Sequence, residues 1–87
     1  HNQLMTTTQI TEITITIDGD DDTNYAGAML EALNGVSVTE FDVAALARTE
    51  FDQISSHRAE YDMEPITRLD LIVTLSTGLV VERTVAA

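Results

Sequence analysis

Apolar and polar positions first alternate between Ile10 and Asp18. Ile13, Ile15 and Ile17 are separated by Thr14 and Thr16, so an extended segment would carry an aliphatic face and a hydroxyl face. Both residue types are β-branched and suit a pleated surface. The pattern predicts a strand that ends at Asp18-Gly19. The period then changes. Tyr25, Ala26, Met29, Leu30 and Leu33 recur at helical spacing, with Asp22 or Thr23 placed to cap the first turn and Asn34-Gly35 to stop the last. A longer helix is predicted from Thr39 to about Asp62. Ser37-x-x-Glu40 and Thr39-x-x-Asp42 both have the form of a capping box. Val43, Ala44, Ala47, Phe51, Ile54, Arg58 and Tyr61 fall in one stripe. Phe41 and Leu46 lie off that stripe; with Asp42 as the cap they would flank the helix start as a hydrophobic staple. Pro65 ends the helix.

The last third reads as a hairpin. Leu69, Leu71, Val73 and Leu75 alternate with Asp70, Ile72 and Thr74; Thr77-Gly78 supplies a turn, and Leu79, Val81 and Val85 alternate again. Ile72 and Val80 fall on the nominally outward face, which is therefore not wholly polar. The resulting order is β-α-α-β-β: a small α+β domain over residues 6–87, with a three-stranded, mainly antiparallel sheet packed on two helices. If the helices return the chain as a hairpin, the second strand runs antiparallel to the first. The Ile/Thr strand is expected at an edge with few charges to guard it, so homodimerisation through an edge strand is expected. Residues 1–5 show no periodicity and read as a cloning remnant and a disordered start, with Met5 as the natural beginning.

A ten-residue repeat runs through the long helix. Thr39-Glu40-Phe41-Asp42 recurs as Thr49-Glu50-Phe51-Asp52 and as Ala59-Glu60-Tyr61-Asp62, followed by Arg48, Arg58 and Arg68. Ten residues leave each copy rotated by about 80° on a helix, so the three aromatics cannot share one face. A local duplication explains the repeat without a binding role. Arg48 with Asp52, and Arg58 with Asp62, stand at i,i+4 and are expected to neutralise each other.

Charge narrows the function more than any motif does. Fifteen acids face four cations, all arginine, for a net charge of −11 on 87 residues. Such a surface argues against direct contact with nucleic acid or an anionic membrane. The four aromatics lie in helical segments, so the strands cannot stack bases as sheet-based RNA readers do. The absence of cysteine excludes a disulfide framework and a cysteine zinc site. No apolar run is long enough to span a bilayer and no signal peptide is evident, so a cytoplasmic location is expected, or the host cytoplasm for a phage-encoded chain.

Candidate chemistry is sparse. Asp20, Asp22, Asn24 and Glu31 stand at positions 1, 3, 5 and 12 of a calcium-binding EF-hand loop. Tyr25 occupies the position that needs glycine, Gly27 replaces the usual branched apolar residue, and a strand precedes the loop where a helix should. The segment reads as a solvated acidic turn that caps a helix, and no metal or cofactor is assigned. His57 has no second histidine or cysteine to complete a site, and in Ser55-Ser56-His57 neighbouring helical residues point about 100° apart. No G-x-S-x-G elbow or glycine-rich phosphate loop is present, and no catalytic residue is assigned.

The expected function is therefore that of a non-catalytic binding protein that engages a basic protein partner through Asp20, Asp21, Asp22, Glu31, Glu50, Asp52, Glu60, Asp62 and Glu64. Inhibitors, immunity proteins, antitoxins and phage anti-defence proteins work in this way, some as mimics of nucleic acid. The alternative is a structural or assembly subunit that forms homo-oligomers, its acidity reflecting a salt-adapted or GC-rich host. A metal-dependent switch or small enzyme is the third class. Neutralising Asp20, Asp21 and Asp22 together is expected to leave folding intact.

Overall fold

The computed structural model describes residues 7–87; the reading of residues 1–5 lies outside them. The Ile/Thr alternation folds as strand β1 (Ile10–Ile17), followed by the two-residue strand β2 (Asp20–Asp21). Helix α1 (Thr23–Ala32) and helix α2 (Glu40–Glu60) follow, then β3 (Arg68–Leu75) and β4 (Val80–Ala86). The α+β class and both helices match the sequence pattern; the sheet has four strands where three were expected, in the order β2-β1-β3-β4 with every neighbour antiparallel.

The additional strand comes from a tight turn. Asp18 and Gly19 both adopt positive φ, at 50° and 89°. Two such central residues define the hairpin turn whose twist suits the flanking strands. Asp20 and Asp21 are poor strand formers, and after them Asp22 leaves the ladder to cap α1, its carboxylate accepting from the Tyr25 N–H at 2.9 Å. β2 therefore pairs only with Thr16 and Ile17. The Ile/Thr strand is not an edge strand, contrary to expectation: β2 and β3 flank it. Below Thr16, however, no described strand pairs with its β2 side.

Ile10 shares the buried face with Ile15 although the two stand five positions apart, a spacing that simple alternation assigns to opposite faces. A register shift between Ile10 and Glu12 accounts for this, because one extra residue in β1 reverses the parity of everything before it. β3 needs no such correction. Leu69, Leu71, Val73 and Leu75 are all buried, and their alternation is the one read from the chain.

Both helices pack on this aliphatic face and leave the other bare. α1 contributes Ala26 and Met29 against β1, and α2 contributes Val43, Ala47, Phe51 and Ile54 against β3 and β4. α2 begins at Glu40, where the Asp42 carboxylate accepts from the Thr39 N–H at 2.7 Å and the Thr39 hydroxyl at 3.1 Å. Thr39 rather than Asp42 is thus the cap, and the expected staple does not form: Phe41 is 78% exposed and Leu46 half-buried. Ala44 and Tyr61 are also exposed, so the buried stripe is narrower than the sequence suggested. The bare face of the sheet carries Thr14, Thr16, Asp70, Thr74 and Thr84, with Ile72 half-buried and Val80 exposed among them.

Phe51 and Phe41 occupy equivalent places in the ten-residue repeat and should differ sharply. Phe51→Ala is expected to cost about 3–5 kcal/mol in urea denaturation, and Phe41→Ala no more than about 0.5 kcal/mol. Similar losses at both positions would mean that α2 is rotated from the phase described.

Candidate functional site

One end of the molecule collects the chain's reversals. The β1–β2 turn, the start of α1, the end of α2 and the start of β3 meet there, because β1 runs toward that end and α2 finishes at it. Asp18 ties these elements together. Its carboxylate accepts from the Thr67 N–H and hydroxyl, each at 2.8 Å, and from the Arg68 N–H at 2.9 Å. Arg58 of α2 approaches the same carboxylate at 3.8 Å. The Thr67 amide, then the Thr67 hydroxyl and the Arg68 amide, hold this carboxyl below the usual aspartate range.

The helices are linked across a gap rather than packed backbone to backbone. The Tyr25 hydroxyl of α1 donates to the Glu50 carboxylate of α2. Burial first, and the Glu50 carboxylate second, push the Tyr25 phenol well above its ordinary value. Ile17, Tyr25, Ile54, His57 and Met63 are among the residues that line a cleft of about 440 Å³ at this end. His57 is exposed there and rests against Tyr61, with ring centroids 4.8 Å apart.

The nine acidic residues singled out from the sequence divide by position. Asp20, Asp21 and Asp22 lie on β2 and the α1 cap; Glu60, Asp62 and Glu64 lie at the end of α2 and just after it, on the same end of the molecule. Glu50 joins them through Tyr25. Asp52 faces elsewhere and pairs with Arg48 at 3.5 Å, both side chains well exposed. Glu31 sits near the far end of α1. The expected Arg58–Asp62 pair is replaced: Arg58 turns to Asp18 and donates to the Glu64 carbonyl at 3.2 Å. Tertiary contact has overridden helical spacing, since Asp62 adopts a positive φ of 58° beyond the last turn. Asp18, whose carboxylate accepts three hydrogen bonds, was not among the nine, because its partners lie 49 and 50 residues away.

The calcium-like spacing does not fold as a calcium loop. Asp20 is in a strand, Asp22 caps α1 and Glu31 is within α1, so the four positions are spread over two elements. Among the described residues, no group of three metal-ligating side chains converges. Asp21 accepts from the Thr16 hydroxyl at 3.0 Å. Within the triplet Asp22 is the residue that caps α1, and an asparagine there keeps an oxygen able to accept from the Tyr25 N–H.

A second cleft, of about 270 Å³, runs between α1 and the open side of β1. Comparison of the chain with protein-family models, curated proteins and solved structures returned no match.

Two predictions follow from these roles. Asp22→Ala should cost about 1 kcal/mol through loss of the cap, whereas Asp20→Asn should change stability by no more than about 0.5 kcal/mol; thermal melts of the two variants separate the cases. Asp18 has a lowered folded-state pKa, so its contribution is complete above the ordinary value of 3.8 and fades as pH falls through the lowered one. Urea denaturation across pH should show wild type more stable than Asp18→Asn at neutrality. The two should converge in acid; a gap independent of pH would refute the carboxylate's role.

Proposed function

We propose that this chain is an acidic, non-catalytic binding protein that engages a basic protein partner by charge complementarity, through the carboxylates gathered at the β2–α1 and α2 end. The observation that carries this reading is how the cations are used. Arg48, Arg58 and Arg68 each pair with an aspartate of the same chain, and Arg83 donates to the Glu82 carbonyl. The described residues include no buried charged side chain. Asp20, Asp21, Glu60, Asp62 and Glu64 are exposed, and none of their carboxylates is paired with an arginine among the described residues. Their field extends into solvent over a Debye length, about 8 Å at physiological salt, and favours fast capture of an oppositely charged surface. An inhibitor, an immunity protein or a mimic of nucleic acid uses its surface in this manner.

One observation favours a second reading, an assembly subunit. Phe41 and Leu79, 78% and 45% exposed, line a common cleft of about 240 Å³ at the opposite end from the acidic cluster. Exposed apolar residues that share a cleft can join copies of a chain.

Affinity capture from extracts of the source organism, at low and at high salt, tests the first reading. A basic protein should be retained at low salt and released by high salt. With Asp20→Asn, Asp21→Asn, Glu60→Gln, Asp62→Asn and Glu64→Gln combined, retention should fall and its salt dependence flatten. An unchanged salt slope would remove the charge argument. Capture of the chain's own copies alone, lost with Phe41→Ser, would establish the second reading instead.

A further inference from the structure

We infer that the open side of β1 accepts an extended, basic segment of a partner protein as an added strand, which takes up the line that β2 abandons after Asp21. The inference rests on the binding role proposed above and specifies the shape of what is bound. The Asp22 N–H donates to the Ile15 carbonyl at 3.0 Å, so Ile15 turns its backbone toward the β2 side. Backbone direction alternates along an antiparallel strand, so Ile13 turns its N–H and C=O the same way. Among the described residues no strand pairs with it there.

The space beside this edge has the form a strand requires. The cleft of about 270 Å³ has Ile13 on one wall and Ala26, Gly27 and Leu30 of α1 on the other, with Asp21 and Asp22 at one end. A side chain added at Gly27 would meet nothing within 4 Å, so the α1 wall stands back from the strand edge. Glu31 follows Gly27 by four residues on α1 and therefore lies on the same side of that helix. Glu12 is exposed on β1 itself. Carboxylates thus bracket the cleft, and its lining residues include no cation.

Backbone bonds at a strand edge carry affinity without regard to sequence, while alternate side chains supply selection. Here the selection is electrostatic. A segment with basic residues at alternate positions would set them on the bare face of the sheet beside Asp21 and Glu12, and its intervening apolar residues would cover Ile13 and Leu30 on the helix side. A second copy of this chain is a poor occupant, because it brings a net charge of −11 to a surface of the same sign.

The test uses the full chain and a nine-residue peptide of alternating lysine and valine, at low salt. Hydrogen exchange at the Ile13 amide should slow when the peptide binds. Methylating the peptide's alternate backbone amides leaves its charge intact and should weaken binding roughly 3- to 10-fold for each bond lost. Ile13→Pro removes the outward N–H and should weaken binding similarly. Gly27→Leu provides the check that does not depend on β1 remaining folded: it raises helix propensity and fills the cleft, and should also weaken binding. Peptide that binds equally after methylation and to Gly27→Leu would overturn strand addition and leave charge complementarity standing. Protection of Ile13 without peptide, in a dimer seen by sedimentation, would assign the edge to a second copy and overturn the proposal. Failure of the peptide to bind at all would overturn it too.

Discussion

Folding this chain means gathering fifteen carboxylates, against four arginines, on the surface of one small body. Self-repulsion of that size opposes compaction, and no carboxylate among the described residues is buried to escape it. Instead the fold sets several of them to accept hydrogen bonds where the backbone would otherwise leave donors unsatisfied. Asp22 takes an amide at the start of α1, Asp42 takes the Thr39 amide and hydroxyl at the start of α2, and Asp18 takes three donors at the start of β3. Asp70, on the bare face of the sheet, accepts from the Thr84 hydroxyl and the Arg68 guanidinium; these lower its pKa, the hydroxyl most. Negative charge at a helix start also opposes the positive end of the helix dipole. Among the described residues, the carboxylates of Asp20, Asp21, Glu60, Asp62 and Glu64 accept no such backbone donor, so the acids that hold the fold are a different set from these five.

The same placement explains why the molecule has clefts at all. α1 packs on β1 and α2 on β3 and β4, so each helix has its own portion of the sheet. A single bond from Tyr25 to Glu50 spans the interval between them near the acidic end. β2 is two residues long because Asp22 is needed as a cap one residue later. A longer β2 would close the open side of β1, and an uncapped α1 would lose its fixed position beside it. The length of one strand and the start of one helix are decided by a single aspartate.

Much of this was legible in the chain, and the exceptions have specific causes. Alternation at Leu69–Leu75 gave the buried face of β3 correctly because no bulge interrupts it. The same rule at Ile10 would place that residue outside, and only the register shift against Leu75 brings it in. Asp18-Gly19 carries a hairpin signal, yet the aspartates after it argue against a strand, and the turn prevailed for two residues. Helical spacing paired Arg48 with Asp52 correctly and Arg58 with Asp62 wrongly, since helix α2 ends before Asp62 and Asp18 competes for the arginine. Of the acidic positions, those on β2 and at the end of α2 converge because the reversals converge. Asp18 was invisible as the centre of that convergence because local spacing carries no record of contacts 49 and 50 residues away.

Geometry also separates two kinds of association that composition leaves mixed. The acidic end and the cleft lined by Phe41 and Leu79 lie at opposite ends, since α2 starts at one and finishes at the other. Two copies meeting at the Phe41 end would keep their acidic ends apart, so screening over about 8 Å would remove most of the repulsion between them. Two copies meeting along β1 would bring Asp21, Asp22 and Glu31 of each together, where screening does little. Self-association and capture of a basic segment therefore place opposite demands on the same charge and are compatible only on different surfaces. The strand addition proposed at the open side of β1 would meet the second demand, because carboxylates there would attract a basic segment and repel a second copy.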